Sequence, residues 1–223
     1  MLRAAGRELL DDRVESIGEL EENFRDIERA NRFLGGLTAV RAALRSLEPE
    51  TILDVGCGSA DIGRALVRDA RRRGRRLHVT CLDANPDVLE IARRHSHDDG
   101  TMSFVRGDGS VLPFEGASFD VVLCNLTLHH CDPDVASALL RELRRVARLA
   151  PVVTDLRRSR IAWAGTSVLA ALFTRNRLTR HDAPLSVLRA YTPLEAVQLA
   201  RDAGWRNPRV RLAPFYRMVL TDV

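Results

Sequence analysis

The sequence predicts an α/β fold: a doubly wound, mostly parallel seven-stranded sheet with an antiparallel last strand, preceded by a helical cap. Three observations carry this. From Thr51 onward, strand-length apolar runs alternate with amphipathic helical segments, the pattern of a parallel sheet with right-handed crossovers. The runs are continuously apolar, as in strands covered by helices on both faces. The last two are joined too tightly for a crossover helix and must pair antiparallel.

The region before Thr51 reads as helix. In VESIGELEENFRDIERANRFLGG, positions Ile17, Leu20, Phe24, Ile27 and then Phe33 or Leu34 recur at helical spacing. Gly35 and Gly36 break the pattern, as glycines past a helix end do. A second helix is expected over roughly Thr38–Leu47, and Pro49 closes the region. Residues 1–48 are therefore expected to form an N-terminal helical cap, and 49–223 the main domain.

Within the main domain, TILDV reads as a strand and DIGRALVRDARRR as a helix. LHVTCLD is a strand, and PDVLEIARRH a helix opened by Pro86 in its first turn. MSFVRGD and FDVVLCN are strands, DPDVASALLRELRRVARL a long amphipathic helix, and PVVTDL the fifth strand. Residues 157–191 carry arginines, an apolar stretch and RHDAPLSVLRAY, with no strand signal. They are expected as a lid insertion, irregular around His181. TPLEAVQLARDAG is a well-marked helix: Thr192 caps it, Pro193 sits in the first turn, Glu195 closes a capping box and Gly204 ends it. PRVRLAP and FYRMVLTDV are the closing strand pair.

Composition bounds the function classes. Of 223 residues, 45% are hydrophobic, which marks a globular chain. All 34 basic residues are arginine, a coding bias rather than a functional choice, so the net charge of +4 carries little. The run Arg71–Arg76 can bind phosphate, but its plainer reading is a solvated helix end. The N-terminus is charged within a few residues, without the apolar core of a signal peptide. The longest apolar run, Ile161–Phe173, is shorter than the ~20 residues of a membrane span. A soluble, cytoplasmic protein is expected. Cys57, Cys81, Cys124 and Cys131 form no CxxC pair and no zinc-like spacing, so neither a disulfide nor a metal is expected.

The stretch TILDVGCGSADIG carries the functional signal. Ligands of open parallel sheets sit at the carboxyl ends of the strands. Gly56 and Gly58 leave room for close backbone approach, and the following helix aims its amides at the same place. A dinucleotide fold would place a third glycine where this chain has Asp61, and a carboxylate there repels a pyrophosphate. A cofactor with a positive centre and an amino group suits Asp54 and Asp61, and S-adenosylmethionine has both. Asp83 ends the second strand, where carboxylates accept from ribose hydroxyls. Asp108, in RGDGSVLPF, can accept from an adenine amino group, and Asn125 ends the fourth strand.

On these residues the sequence resembles the class I S-adenosylmethionine-dependent methyltransferases. ILDVGCGSADIG is similar to their glycine-rich motif, CLDAN to the acidic second-strand motif, GDGSVLPF to the adenine motif and FDVVLCNLTLHHCDP to the fourth-strand motif. The resemblance covers Thr51 to about Leu156, is weaker beyond, and implies a Rossmann-like sheet. It implies that Asp54, Gly56 and Gly58 hold the methionyl part and that Asp83 binds the ribose, with Cys57, Asp61 and Ala84 counted with them as cofactor-binding. Asp108 and Gly109 would meet adenine, and Asn125 or Leu126 would line the sulfonium side. Among subfamilies, LPFEGASFDVVLCNLTLHHCDP is most similar to enzymes acting on quinone or polyketide-type small molecules. The expected acceptor is small and apolar or phenolic.

Three histidines are candidate bases for such an acceptor. His129 and His130 follow the fourth strand, and His181 lies in the expected lid. Tyr191 and Arg180 are weaker candidates for orienting the acceptor. IAWAGTSVLAALF is a candidate cover for a hydrophobic acceptor, or a transient contact with a membrane surface; core packing is its plain alternative. A nucleic-acid methyltransferase is disfavoured, because NLTLHH lacks the prolines and aromatic of base-amino methylation and aromatics are 5% of the chain. A binding protein that keeps the cofactor site without catalysis stays open, as do the oligomeric state and the atom methylated.

Overall fold

The computed structural model describes residues 1–11, 16–96 and 100–222. Seven strands form one sheet: β1 (Thr51–Val55), β2 (His78–Asp83), β3 (Met102–Arg106), β4 (Phe119–Asn125), β5 (Ala147–Leu156), β6 (Pro208–Ala213) and β7 (Arg217–Asp222). Their order is β3-β2-β1-β4-β5-β7-β6. The first five pair in parallel, and β7 runs antiparallel to both β5 and β6. This is the doubly wound, Rossmann-like sheet that the sequence predicts. Strand order reverses between β1 and β4, which opens a crevice at their carboxyl ends.

Helices cover both faces. Leu53, Val55, Val122 and Cys124 pack on α5 (Pro133–Val146) and α8 (Pro193–Asp202), through Leu139, Leu140, Leu143, Ala196 and Ala200. The alternate residues Ile52, Val121, Leu123 and Val152 pack on α2 (Gly36–Leu44), α3 (Asp61–Arg72) and α4 (Pro86–His95). Successive residues of a strand point to opposite faces, so burial of both faces explains the unbroken apolar runs. The register sets the strand ends level. Val55 pairs with both Leu82 and Cys124, so Gly56, Asp83 and Asn125 emerge side by side.

The first long helix, α1 (Ile17–Phe33), lays Leu20 and Phe24 on Val88 and Ile91 of α4. Ile17 and Phe33, expected on the same stripe, are exposed. Val14 and Glu15 of the quoted helical stretch, and Val223 of the last strand, lie outside the described residues. α2 starts at Gly36 rather than Thr38, because Gly35 turns the chain at φ +78°, a conformation glycine adopts without steric cost. Arg71 and Arg72 close the last turn of α3, in keeping with the helix-end reading of the basic run.

The segment 157–191 departs from the expectation of irregular structure around His181. It forms two helices, α6 (Arg160–Phe173) and α7 (Arg177–Arg189). Ser159 caps α6 through the amide of Ala162, and Asn176 caps α7 through that of Thr179. α7 escapes a periodicity test because Pro184 sits inside it and its buried face is polar, with Asp182, Ser186 and Arg189. α8 carries the expected capping box between Thr192 and Glu195. Among the described residues, no helix is long and apolar enough to cross a membrane.

Candidate active site

The strand ends open into a cavity of about 810 Å³, within the size range of small-molecule sites. Of the residues expected around the cofactor, Gly56, Cys57, Gly58 and Asp61 line it on the β1 side. Asp83 and Ala84 line it after β2, Asp108 and Gly109 after β3, and Asn125 and Leu126 after β4. Asp54 does not reach the wall. It is 2% exposed and lies behind Asp61 and Asp83. Burial, and then the charges of Asp61 and Asp83, push its carboxyl up to about 8.

The two glycines are also required by the protein's own packing. A Cβ on Gly56 would lie 2.4 Å from Thr127 Oγ1, and one on Gly58 would lie 2.9 Å from Phe24 Cε1. Both residues have positive φ, +69° and +53°. Side chains of the protein itself therefore press on the loop, Phe24 from the cap and Thr127 from β4's exit. Asp83 Oδ2 accepts the Gly58 amide at 3.1 Å and Oδ1 that of Asn85 at 3.0 Å, which locks the loop to β2. Asp108 Oδ1 accepts from the amide and hydroxyl of Ser110. Asn125 Oδ1 accepts from Thr154 Oγ1 at 2.6 Å, and Leu126 turns away from the strand at φ +55°.

The wall expected to meet the methionyl part gains two residues that the sequence reading did not single out, Asn31 and Arg217. Asn31, at the end of α1, donates from Nδ2 to Asp61 Oδ2 at 3.1 Å, and its buried Oδ1 has no partner. Arg217, opening β7, donates from Nε to the Leu34 carbonyl at 2.9 Å, and its buried Nη1 has none. Both face the cavity across Gly36, where a Cβ would lie 2.4 Å from Asn31 Oδ1 and 3.1 Å from Arg217 Cζ. Burial lowers the Arg217 pKa to about 10. A buried polar atom left unpaired costs free energy. One unpaired acceptor beside a carboxylate and one unpaired donor are the complement of an amino-acid zwitterion. The residues present therefore fit the methionyl group of S-adenosylmethionine.

His129 and His130 line the same cavity. His129 is buried, its amide donating to Asp155 Oδ2 at 3.0 Å and its Nδ1 2.7 Å from Asp155 Oδ1. Burial opposes ionisation of Asp155, but its interactions with His129 win and hold its carboxyl low. His130 Nδ1 lies 2.6 Å from Asp11 Oδ1. Burial likewise opposes ionisation of Asp11; His130 and Arg189 overcome it and hold the carboxyl well below its usual value.

Glu8 lies beside both imidazoles. Burial pushes its carboxyl up to about 7, and Ser186 Oγ donates to its Oε2 at 2.9 Å. Glu8 and Asp11 arrive on the N-terminal segment, which Arg3 ties to the carbonyls of His129 and Cys131. Asp182 accepts the amides of Leu9 and Leu10.

The remaining acceptor candidates do not join them. His181 lies outside the cavity lining; it is half exposed on α7 and bonds Asp182. Tyr191 is buried in the core beside α5, its hydroxyl donating to the Cys131 carbonyl at 2.7 Å. Arg180 is exposed and points to the Ala171 carbonyl. A regular helix through 177–189 turns His181 and Arg180 outward, which the irregular-loop expectation did not foresee.

The fold and cavity define an α/β domain with a crevice at a switch point in strand order, lined by acids where a dinucleotide fold has a third glycine. Residues 52–149 match the family model described as a methyltransferase domain. The chain is 36% identical over 107 residues to a probable phthiotriol/phenolphthiotriol dimycocerosates methyltransferase of Mycobacterium ulcerans. That match covers 48% of this chain and 39% of the relative. It is 32% identical over 102 residues to the demethylmenaquinone methyltransferase of Thermotoga maritima, covering 46% and 41%. The chain thus spans about two fifths of the length of these relatives. Among solved structures it is similar to an O-methyltransferase from Nostoc punctiforme, with a TM-score of 0.67 at 16% identity over 99% of this chain and 64% of that one. Human N-acetylserotonin methyltransferase, solved with S-adenosylmethionine, gives 0.64 at 16% identity, covering 92% and 56%. At such identities these structures speak to the fold alone.

Proposed function

We propose that the protein transfers a methyl group from S-adenosylmethionine to a small, apolar or phenolic acceptor of secondary-metabolite, quinone or lipid-like character. The observation that carries this reading is a cavity whose wall combines two chemically distinct groups: Asp61, Asp83, Asn31 and Arg217, and the two imidazoles of His129 and His130. When bound, S-adenosylmethionine supplies an electrophilic methyl group. Asp61 and Asn31 would hold its ammonium, Arg217 its carboxylate, Asp83 its ribose and the Asp108–Gly109 turn its adenine. Asn125 and Leu126 would flank the sulfonium.

The chain's remaining task is to align the acceptor and exclude water, and alignment alone is worth ~7–11 kcal/mol. His129 and His130 face the place where an acceptor oxygen would lie and are assigned to preparing it. The acceptor wall comes from α6 and α7, and we read residues 157–191 as the lid and 1–48 as the cap of a cofactor domain spanning 49–223. α6 supports an acceptor with hydrocarbon character. Ile161 and Leu169 line the cavity yet stay exposed at 70% and 42%, beside exposed Leu172 and Phe173. An apolar path thus runs from the surface, and with it a surface that can touch a membrane transiently. The relatives named for demethylmenaquinone and for phthiotriol/phenolphthiotriol dimycocerosates support the same acceptor class.

The test is transfer of labelled methyl from S-adenosylmethionine to a panel of demethylated quinols, phenols and lipid alcohols. The reading expects turnover with apolar hydroxylated acceptors. Cofactor binding without transfer to any of them would leave only a binding protein.

A further inference from the structure

We propose that Glu8, His129 and His130 form a binding site for one divalent transition-metal ion, of which zinc is the simplest case. The inference deepens the methyl-transfer reading. Its role in handling an acceptor rests on that reading, while the binding of the ion does not.

The ligand atoms come from distant parts of the chain, and all lie within 4.8 Å of one another. His129 Nε2 is 3.8 Å from Glu8 Oε1, and His130 Nε2 is 3.7 Å from Glu8 Oε2. These gaps are too long for N–H···O hydrogen bonds, which close at ~2.7–3.2 Å. They are near the ~3.4 Å that separates ligand atoms around a tetrahedral zinc with bonds of ~2.1 Å.

The groups behind the ligands agree. Each imidazole has its Nδ1 fastened to a carboxylate, His129 to Asp155 and His130 to Asp11. A carboxylate on Nδ1 fixes the proton there, turns the Nε2 lone pair outward and raises its basicity, as in metal sites where histidine is backed by an acid. Here both lone pairs turn toward the same carboxylate. Glu8 is 2% exposed, and its Oε1 has no hydrogen-bond partner. An ion would supply what that buried oxygen lacks.

Acids surround the two rings: Glu8, Asp11 and Asp155 lie against the imidazoles, and Arg189 stands 3.8 Å from Glu8 and 2.6 Å from Asp11. The rings themselves lie with centroids 4.3 Å apart. Two nitrogen donors and one carboxylate suit zinc, iron, cobalt or nickel rather than magnesium or calcium, which prefer oxygen. The three residues also line the cavity. Open coordination positions would therefore face the acceptor, and an acceptor hydroxyl or phenol oxygen is the ligand they suit.

The test uses the full chain, stripped of metal with a chelator and titrated with cobalt(II) and then zinc. The inference expects saturable binding of about one equivalent, visible absorption from cobalt in a low-symmetry site, and displacement by zinc. Glu8→Gln and His130→Asn should each weaken zinc binding at least ~10-fold, whereas His181→Ala, outside the cavity, should leave it unchanged. Thermal unfolding identifies any variant that has lost its fold; if Glu8→Gln does, His130→Asn decides. Absence of a saturable site, or equal zinc affinity in the folded variants and the parent, would overturn the proposal. Calorimetry with S-adenosylhomocysteine on the same metal-free protein separates the two readings. Loss of metal binding with intact cofactor binding ends this inference alone, and the converse ends only the methyl-transfer reading.

Discussion

His129 and Asp155 form a buried pair, with Nδ1 2.7 Å from Oδ1 and the His129 amide on the other carboxylate oxygen. The pair couples the exit of β4 to the end of β5, so the imidazole is held by two strands of the sheet rather than by a loop alone.

Asp155→Asn should therefore leave S-adenosylhomocysteine affinity unchanged while lowering turnover at least ~10-fold, because the imidazole loses its orientation and basicity. His129→Ala and His130→Ala should do the same. Steady-state kinetics beside calorimetry checks this; full activity in all three would remove these residues from the mechanism.

Asp83→Ala should weaken cofactor binding at least ~10-fold, through the lost ribose contact and the released Gly58 amide. Arg217→Met should weaken S-adenosylhomocysteine more than it weakens adenosine, which has no carboxylate to meet the guanidinium. Equal losses for the two ligands would place Arg217 in a structural role.

Asp54 makes ligand-free stability depend on pH. In the folded protein it holds its proton up to about pH 8, and in the unfolded chain it releases it near ~3.9. Between these values the folded state binds more protons, so the unfolding free energy falls as pH rises. The melting temperature of ligand-free protein should drop between about pH 5 and about pH 8, and Asp54→Asn should flatten the decline. A cationic cofactor offsets the cost, so the stabilisation it gives should grow over the same range. An unaltered slope in Asp54→Asn would contradict this.

Gly58→Ala forces an L side chain to φ +53° and into Phe24. The backbone alone should cost ~1–2 kcal/mol, with overpacking added. Phe24→Ala relieves the clash, so denaturant unfolding of the double variant should show less than the sum of the two single losses. Strict additivity would mean that the cap does not press on the loop.

The sheet was legible because its signals are local. Apolar runs, Pro86, Pro193 and the capping box at Thr192 act within a few residues, and the acids at the ends of β1, β2 and β3 follow from the strand reading. Asp155 was within reach by the same logic, as the acid at the end of PVVTDL. Glu8, Asp11, Asn31 and Arg217 were not. Each owes its place to contacts across the chain, such as Arg217 on the Leu34 carbonyl and Asp182 on the amides of Leu9 and Leu10. No short-range pattern encodes them. His181 failed for the opposite reason: its local sequence looked irregular, while tertiary packing on the N-terminal segment and α1 holds α7 helical around Pro184.

The central claim is that acids and amides at adjoining strand ends, with Asn31 and Arg217, hold S-adenosylmethionine. The most direct test is calorimetry of the full chain with S-adenosylhomocysteine and, in parallel, with NAD. The account predicts a single saturable site for the first that Asp83→Ala largely abolishes, and no binding of the second. Well-folded protein that takes up NAD, or that shows no saturable heat with S-adenosylhomocysteine, would contradict it.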